Sequence, residues 1–192
     1  MKKPLNLHKI PALKEVLVDK DIVLRPLRQS DAMRMLEILA ADESIRNKVT
    51  VASRLRTPGD VLREIEHYRK DSGLMRYTLL KENSPIGLVS FWRDDGYFGT
   101  PSQPDDYGFG YFLDPDERGK GLVNSAVKSL MDVVSKNLRV NQFVAFCEDK
   151  NNESIAVLIK LGFKPTDKTF SEPDHGWIER KYVKRTVISE RV

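Results

Sequence analysis

The sequence predicts a mixed α/β (α+β) fold in which a single mixed sheet carries helices on its faces. Three observations lead there. Two β-prone runs, Tyr77 to Lys81 and Ile86 to Trp92, flank the turn chemistry of Glu82-Asn83-Ser84-Pro85 and read as a hairpin. Strand, helix and strand alternate from Tyr107 to Cys147, and two amphipathic helical patterns precede the hairpin.

In chain order, Met1 to Asp19 is weakly patterned and reads as an extended or partly helical arm. Asp21 to Arg25 is a first strand that Pro26 ends, because proline offers no backbone donor. Ser30 stands where it can cap a helix whose Ala32, Leu36 and Leu39 recur at helical spacing, with Arg34 and Glu37 toward water. A polar, basic connection runs from Asp42 to Arg56. Thr57 then precedes a second helix with Pro58 in first position, where a missing N–H is harmless, and with Val61, Ile65 and Tyr68 as its stripe.

After the hairpin, a polar segment from Arg93 to Asp106 leads into the strand Tyr107 to Leu113, which contains Gly108 and Gly110. Beyond Gly119-Lys120-Gly121, the residues Val123, Ala126, Val127, Leu130, Met131 and Val134 share one helical face. Val140 to Cys147 is a strand. Asn151 caps a short helix carrying Ile155, Leu158 and Ile159, and Gly162 ends it in a left-handed conformation. Phe163 and the run Trp177 to Val183 belong to two closing strands around a polar loop.

The 192 residues leave room for one medium domain, expected over 20–185 between an arm at 1–19 and a tail at 186–192. With 40% hydrophobic and 31% charged residues, the composition is that of a globular protein rather than a membrane or disordered one. Net charge is only +4, so an anionic partner is permitted but direct nucleic-acid binding is not expected. The single cysteine, Cys147, makes neither an internal disulfide nor a Cys-rich zinc site, and His8, His67 and His175 are far apart, so no metal is expected. No apolar run approaches the roughly 18 residues of a membrane span. A cytoplasmic enzyme or binding module fits these bounds.

The most informative stretch is Leu113-Asp114-Pro115-Asp116-Glu117-Arg118-Gly119-Lys120-Gly121-Leu122, between a strand and a helix. A turn entering a helix presents consecutive unpaired N–H groups, and the helix dipole adds partial positive charge, so backbone alone can hold a pyrophosphate. Taken alone, the turn is equally a tight strand-to-helix connection with solvated Arg118 and Lys120. It is not a Walker A loop, and Asn124 stands where a dinucleotide fingerprint needs its third glycine.

Downstream, Asn151-Asn152-Glu153-Ser154 opens a helix that ends at Leu161-Gly162-Phe163. With both features in place, the chain resembles the GCN5-related N-acetyltransferase (GNAT) superfamily, most closely its branch of bacterial ribosomal-protein N-terminal acetyltransferases. The resemblance covers Asp21 to Val183 and is strongest from Tyr107 to Phe163. The family signature is Arg or Gln, two residues, Gly, any residue, then Gly or Ala. Gly119 and Gly121 fill its glycine positions, and Asp116 replaces the leading residue.

The resemblance implies a mostly antiparallel sheet splayed at the cofactor strand, and acetyl-CoA as the acetyl donor. Carried over by position, the Leu113 backbone meets the thioester and pantetheine. The turn residues Glu117, Arg118, Gly119, Lys120, Gly121, Leu122 and Val123 hold the pyrophosphate, and Asn151 contacts the pantetheine arm. Acetyl transfer goes by direct attack of an amine. Ser154 is the acid for the departing thiolate, and Glu172, in the loop Asp167 to His175, is the water-activating base.

Tyr107, Tyr111, Tyr182 and His175 are further titratable groups, whereas Cys147 has no histidine paired with it by any recognisable pattern. The acceptor is a primary amine, on a protein N-terminus or a small molecule. Asp94-Asp95 and Asp105-Asp106 would attract such a cation or simply be solvated. The alternative reading is a non-catalytic acyl-CoA-binding module. A membrane partner is not expected, and the chain is expected as monomer or homodimer.

Overall fold

The computed structural model describes residues 15–70, 74–94, 105–138, 140–171 and 178–186, with the backbone alone at 68–70. Its strands are β1 (Val16–Asp19), β2 (Ile22–Pro26), β3 (Leu74–Lys81), β4 (Ser84–Arg93), β5 (Asp106–Leu113), β6 (Gln142–Glu148), β7 (Lys164–Ser171) and β8 (Ile178–Arg185). Its helices are α1 (Ala32–Ala41), α2 (Thr50–Arg54), α3 (Pro58–Lys70), α4 (Leu122–Asn137) and α5 (Asn152–Lys160). The strands form one mixed, mostly antiparallel sheet in the order β1-β2-β3-β4-β5-β6-β8-β7. Its parallel pair is β5 with β6, with Asp106 opposite Gln142 and Gly108 opposite Val144. Among the described residues no helix is long and apolar enough to cross a membrane.

Contacts divide the chain into two compact units, one of Met1–Phe91 with Gly110–Asp132 and one of Trp92–Phe109 with Val133–Val192. In the first unit, Met35, Ile38 and Leu39 of α1 pack with Val51 and Ala52 of α2, Val61 and Ile65 of α3, Leu88 and Phe112. Burying such side chains contributes about 1.5–3 kcal/mol each. The apolar stripe of α1 is thus centred on Met35 and Ile38, and Leu36 is only partly buried beside it. Ser30 does not cap α1: it lies in a 3-10 turn, Gln29–Asp31, and the Asp31 carboxylate accepts the Arg28 N–H at 3.0 Å instead. The same carboxylate accepts Arg25 at 2.7 and 2.8 Å and the Thr78 hydroxyl at 2.7 Å, which joins β2, the start of α1 and β3.

The connection from Asp42 to Arg56 is more structured than its polarity suggests. It holds a 3-10 turn at Glu43–Ile45 and the short α2, because Arg46 is turned inward and its guanidinium donates to the Ala52 carbonyl at 3.1 Å and to that of Leu55. At the start of α3, the Asp60 carboxylate accepts the Thr57 N–H at 2.6 Å and the Thr57 hydroxyl accepts the Asp60 N–H at 3.3 Å, a reciprocal cap. The hairpin turn is confined to Glu82 and Asn83, both at positive φ (49° and 67°), the geometry that matches strand twist. Val16–Asp19, within the segment read as an arm, is a strand paired with β2, Val16 opposite Leu24.

In the second unit, β6 pairs with β8 and β8 with β7, all antiparallel. Phe109 and Phe163 pack with ring centroids 5.3 Å apart and their planes tilted by 55°. Lys181 and Asp94 form a buried pair at 3.4 Å. The strand read at Phe163 begins at Lys164 and takes in Asp167 to Ser171, which were expected in the loop. Ile159, placed on the apolar stripe of α5, is 52% exposed, whereas Leu158 is buried. Trp177, His8 and His175 lie outside the described residues.

Candidate functional site

The strand end and the turn that follows it lie within the first unit. The Asp114 N–H donates to the Ile86 carbonyl at 2.8 Å, so Asp114 faces β4. Backbone groups alternate along a strand, which turns the N–H and C=O of Leu113 toward the edge away from β4. Gly87 makes the closeness of β4 and β5 possible here, since a Cβ on it would stand 2.4 Å from the Phe112 oxygen and 3.1 Å from the Leu113 Cα. Leu113 itself is buried, its side chain part of the core.

Asp114 then starts a 3-10 turn, Pro115–Glu117, by accepting the Asp116 N–H at 3.1 Å. Gly119 and Gly121 sit at φ +76° and +75°, conformations that other residues rarely adopt, and a Cβ at either would meet nothing within 4 Å. The open space beside both is what a phosphate group needs in order to approach backbone. The Gly121 carbonyl accepts the Ser125 N–H at 3.2 Å, which makes Gly121 the residue that starts α4. The first amides of α4 therefore have no acceptor inside the helix and carry the positive end of its dipole.

With Gly121 at the helix start, the signature of Arg or Gln, two residues, Gly, any residue, Gly or Ala fits two residues further along than the register with Gly119 first. Arg118 then takes the leading position and Gly121 the glycine, and the departure moves to Val123. Val123 is buried, with its side chain in the core.

The basic side chains of the turn are matched by carboxylates. Arg118 Nη2 lies 2.7 Å from Asp42 and 3.5 Å from the Leu113 carbonyl. Lys120 Nζ is 3.0 Å from Glu117, which also accepts Lys81 at 2.9 and 3.0 Å. Hydrogen bonds from Lys81 and Lys120 hold the Glu117 carboxyl below its ordinary range. Arg34 of α1 pairs with Asp114. Glu117 is three residues from Lys120, whereas Asp42, Lys81 and Arg34 lie far off in sequence and no local pattern marks them.

A second arrangement lies within the other unit. The Asn151 side chain accepts the Ser154 N–H at 3.2 Å, as expected of a cap. The Cys147 thiol, 4% exposed, lies 3.8 Å from the Asn151 carbonyl and 3.5 Å from that of Glu148. Burial, reinforced by the carboxylates of Glu179, Glu148 and Asp149, pushes this thiol up to about 12, against a weaker opposing hydrogen bond from Ser154. Cys147 is therefore a neutral neighbour of Ser154 and not a nucleophile. Burial likewise raises the Tyr182 hydroxyl.

Of the residues singled out from sequence, Leu113 and Glu117 through Val123 form one continuous arrangement, and Asn151 with Ser154 forms another. Glu172 lies outside the described residues. Among the described residues no group of three or more His, Cys, Asp or Glu is placed to hold a metal ion.

Residues 21–164 match the family model described as the acetyltransferase (GNAT) domain. The ribosomal-protein-serine acetyltransferase of Escherichia coli (strain K12) is 28% identical over 87 residues, 45% of this chain and 45% of that protein. An uncharacterized N-acetyltransferase of Bacillus subtilis (strain 168), YnaD, is 26% identical over 86 residues, 45% of this chain and 46% of that protein. The match thus spans less than half the length of either curated relative. Among solved structures, the ribosomal L7/L12 alpha-N-protein acetyltransferase RimL in complex with coenzyme A superposes with a TM-score of 0.73 at 15% identity, over 90% of this chain and 98% of that one. The microcin C7 self-immunity acetyltransferase MccE, with acetyl-CoA and AMP, gives 0.72 at 20% identity over 88% and 94%.

Proposed function

Because the chain belongs to the acetyltransferase (GNAT) family, we propose that it is an acetyl-CoA-dependent N-acetyltransferase that acts on a primary amine, such as a protein N-terminus or a small molecule. The observation that carries this reading is the strand-turn-helix from Leu113 to Val123, with open space beside two left-handed glycines at the start of a long helix. That is the backbone chemistry a pyrophosphate requires. Relatives crystallised with coenzyme A or with acetyl-CoA and AMP support the same donor.

Acetyl-CoA supplies the activated acetyl group. Leu113, with N–H and C=O turned from β4, offers a donor for the thioester carbonyl and an acceptor for pantetheine. The amides from Glu117 to Val123 hold the phosphates, and Asn151 meets the pantetheine arm while capping α5. The amine nitrogen bonds to the acetyl carbon as the carbon–sulfur bond breaks. The Ser154 hydroxyl gives its proton to the departing sulfur, and the amine loses one to water activated by Glu172, an assignment that rests on family resemblance. A protein N-terminal acceptor is favoured by the likeness to the ribosomal-protein-serine acetyltransferase.

Incubation with acetyl-CoA and a panel of N-terminal peptides, polyamines and aminoglycosides tests the proposal. Release of free thiol with at least one acceptor is expected. Absence of turnover across the panel, with coenzyme A still bound, would favour the non-catalytic binding module.

A further inference from the structure

Asp42 lies just past the C-terminus of α1, outside the turn itself, yet it is tied to it. Its Oδ1 accepts the Ser44 N–H at 3.0 Å and the Ser44 hydroxyl at 2.6 Å. Its Oδ2 is 2.7 Å from Arg118 Nη2, the same nitrogen that reaches the Leu113 carbonyl at 3.5 Å. We propose that Asp42 is a positioning residue for the cofactor turn: it holds the Arg118 guanidinium against the end of β5 before the donor arrives. The inference rests on the acetyl-CoA reading of that turn.

Three features support it. The contact uses a single nitrogen, and Arg118 Nε and Nη1 have no partner among the described residues, so the guanidinium can receive an anion without leaving Asp42. The Arg118 side chain is 36% exposed, and an arginine in that setting otherwise samples many rotamers that binding would have to freeze. Asp42 is itself fixed: hydrogen bonds from Ser44 and then Arg118 keep its carboxyl ionised below the ordinary range. A reverse pair, Arg34 with Asp114, ties the same helix to the start of the turn, so α1 braces the segment from Asp114 to Arg118 at two points.

The test is a double-mutant cycle on the full chain, with coenzyme A affinity measured by calorimetry. Asp42→Asn keeps an acceptor for the Ser44 N–H and removes the charge. We expect about a tenfold weaker Kd, a matching rise in KM for acetyl-CoA with kcat unchanged, and an unchanged melting temperature. In an Arg118→Ala background the same substitution should change nothing, and Asp42→Glu should restore part of the loss. Equal or tighter binding by Asp42→Asn would mean that Asp42 competes with the phosphates or is irrelevant, and would overturn the inference alone. A loss that persists in the Arg118→Ala background would overturn it too. Failure of the unmodified chain to bind coenzyme A would overturn the acetyltransferase reading and this inference with it.

Discussion

Gly87 lies so close to the Phe112 carbonyl that a Cβ would stand 2.4 Å from its oxygen. That distance is below any contact a real side chain makes, and the obstruction is backbone, which cannot rotate away. Gly87→Ala is expected to push β5 outward, to destabilise the chain by about 1–3 kcal/mol as overpacked sites do, and to displace Leu113. Denaturant unfolding and coenzyme A titration check both effects; full retention of affinity would show that the strand end is not part of the donor site.

At Gly119 the space is open, and only conformation and ligand object to a side chain. Gly119→Ala at φ +76° should cost about 1–2 kcal/mol of stability. Coenzyme A affinity should fall at least tenfold, because the methyl group takes the space that phosphate would use. Calorimetry at a temperature where the variant is folded separates the two.

Ser154→Ala leaves the cap intact, since the Asn151 side chain bonds the backbone N–H of Ser154 and not its hydroxyl. The expected result is a fall in kcat of roughly 100-fold, the scale of a lost general acid, with KM for acetyl-CoA little changed. Asn151→Ala, in contrast, should cost about 1 kcal/mol of stability. A steady-state comparison of the two variants distinguishes chemistry from capping.

Cys147 predicts an alkaline weakness. Its thiol stays protonated in the fold up to about 12, against 9.0 for the unperturbed group, so its contribution is complete below pH 9 and is lost as pH rises toward 12. Across that window the unfolded chain alone releases the proton, and stability falls by up to about 1.4 kcal/mol per pH unit. Unfolding measured from pH 8 to 10.5 should show a steeper decline in the wild type than in Cys147→Ala. The native thiol should also resist iodoacetamide at pH 8.

Asp31 predicts the acid counterpart. Burial alone would raise its carboxyl, but hydrogen bonds from Arg25, the Arg28 N–H and Thr78 outweigh that and lower it. Its contribution is present above the ordinary carboxylate range and is lost as pH falls through the lowered value. Asp31→Asn strands the buried Arg25 charge and should cost about 3–5 kcal/mol at neutral pH. The gap from wild type should close on acidification.

What could be read from the residues in advance was whatever is written locally. The α4 face of Val123, Ala126, Val127, Leu130, Met131 and Val134 is buried as its spacing requires. The start of α3 at Thr57-Pro58, the cap at Asn151 and the left-handed Gly162 also appear where their residue types predict. Elements held by distant partners were not legible. The α2 region looked like a charged connection because the inward turn of Arg46 is visible only when Ala52 and Leu55 are in place to receive it. The strand expected at Phe163 was legible only at its start: the rest of β7 was read as loop because it is nearly all polar and mostly exposed, so its strand character comes from pairing with β8. At the candidate site, the glycine turn was legible; Asp42, the carboxylate that answers Arg118, was not, since pairing over such a separation leaves no periodic trace.

The two strands that end the sheet order share a feature with consequences for how the protein keeps company. β1 has only four residues and slips register between Leu17 and Asp19, and β7 slips between Pro165 and Thr169. A bulge twists an outer strand, proline removes a donor, and Lys164, Asp167 and Lys168 put charge along β7. Neither border offers the flat row of donors and acceptors onto which a further strand would add. Concentrated solutions should therefore resist fibre growth from the native state without help from a chaperone or a partner.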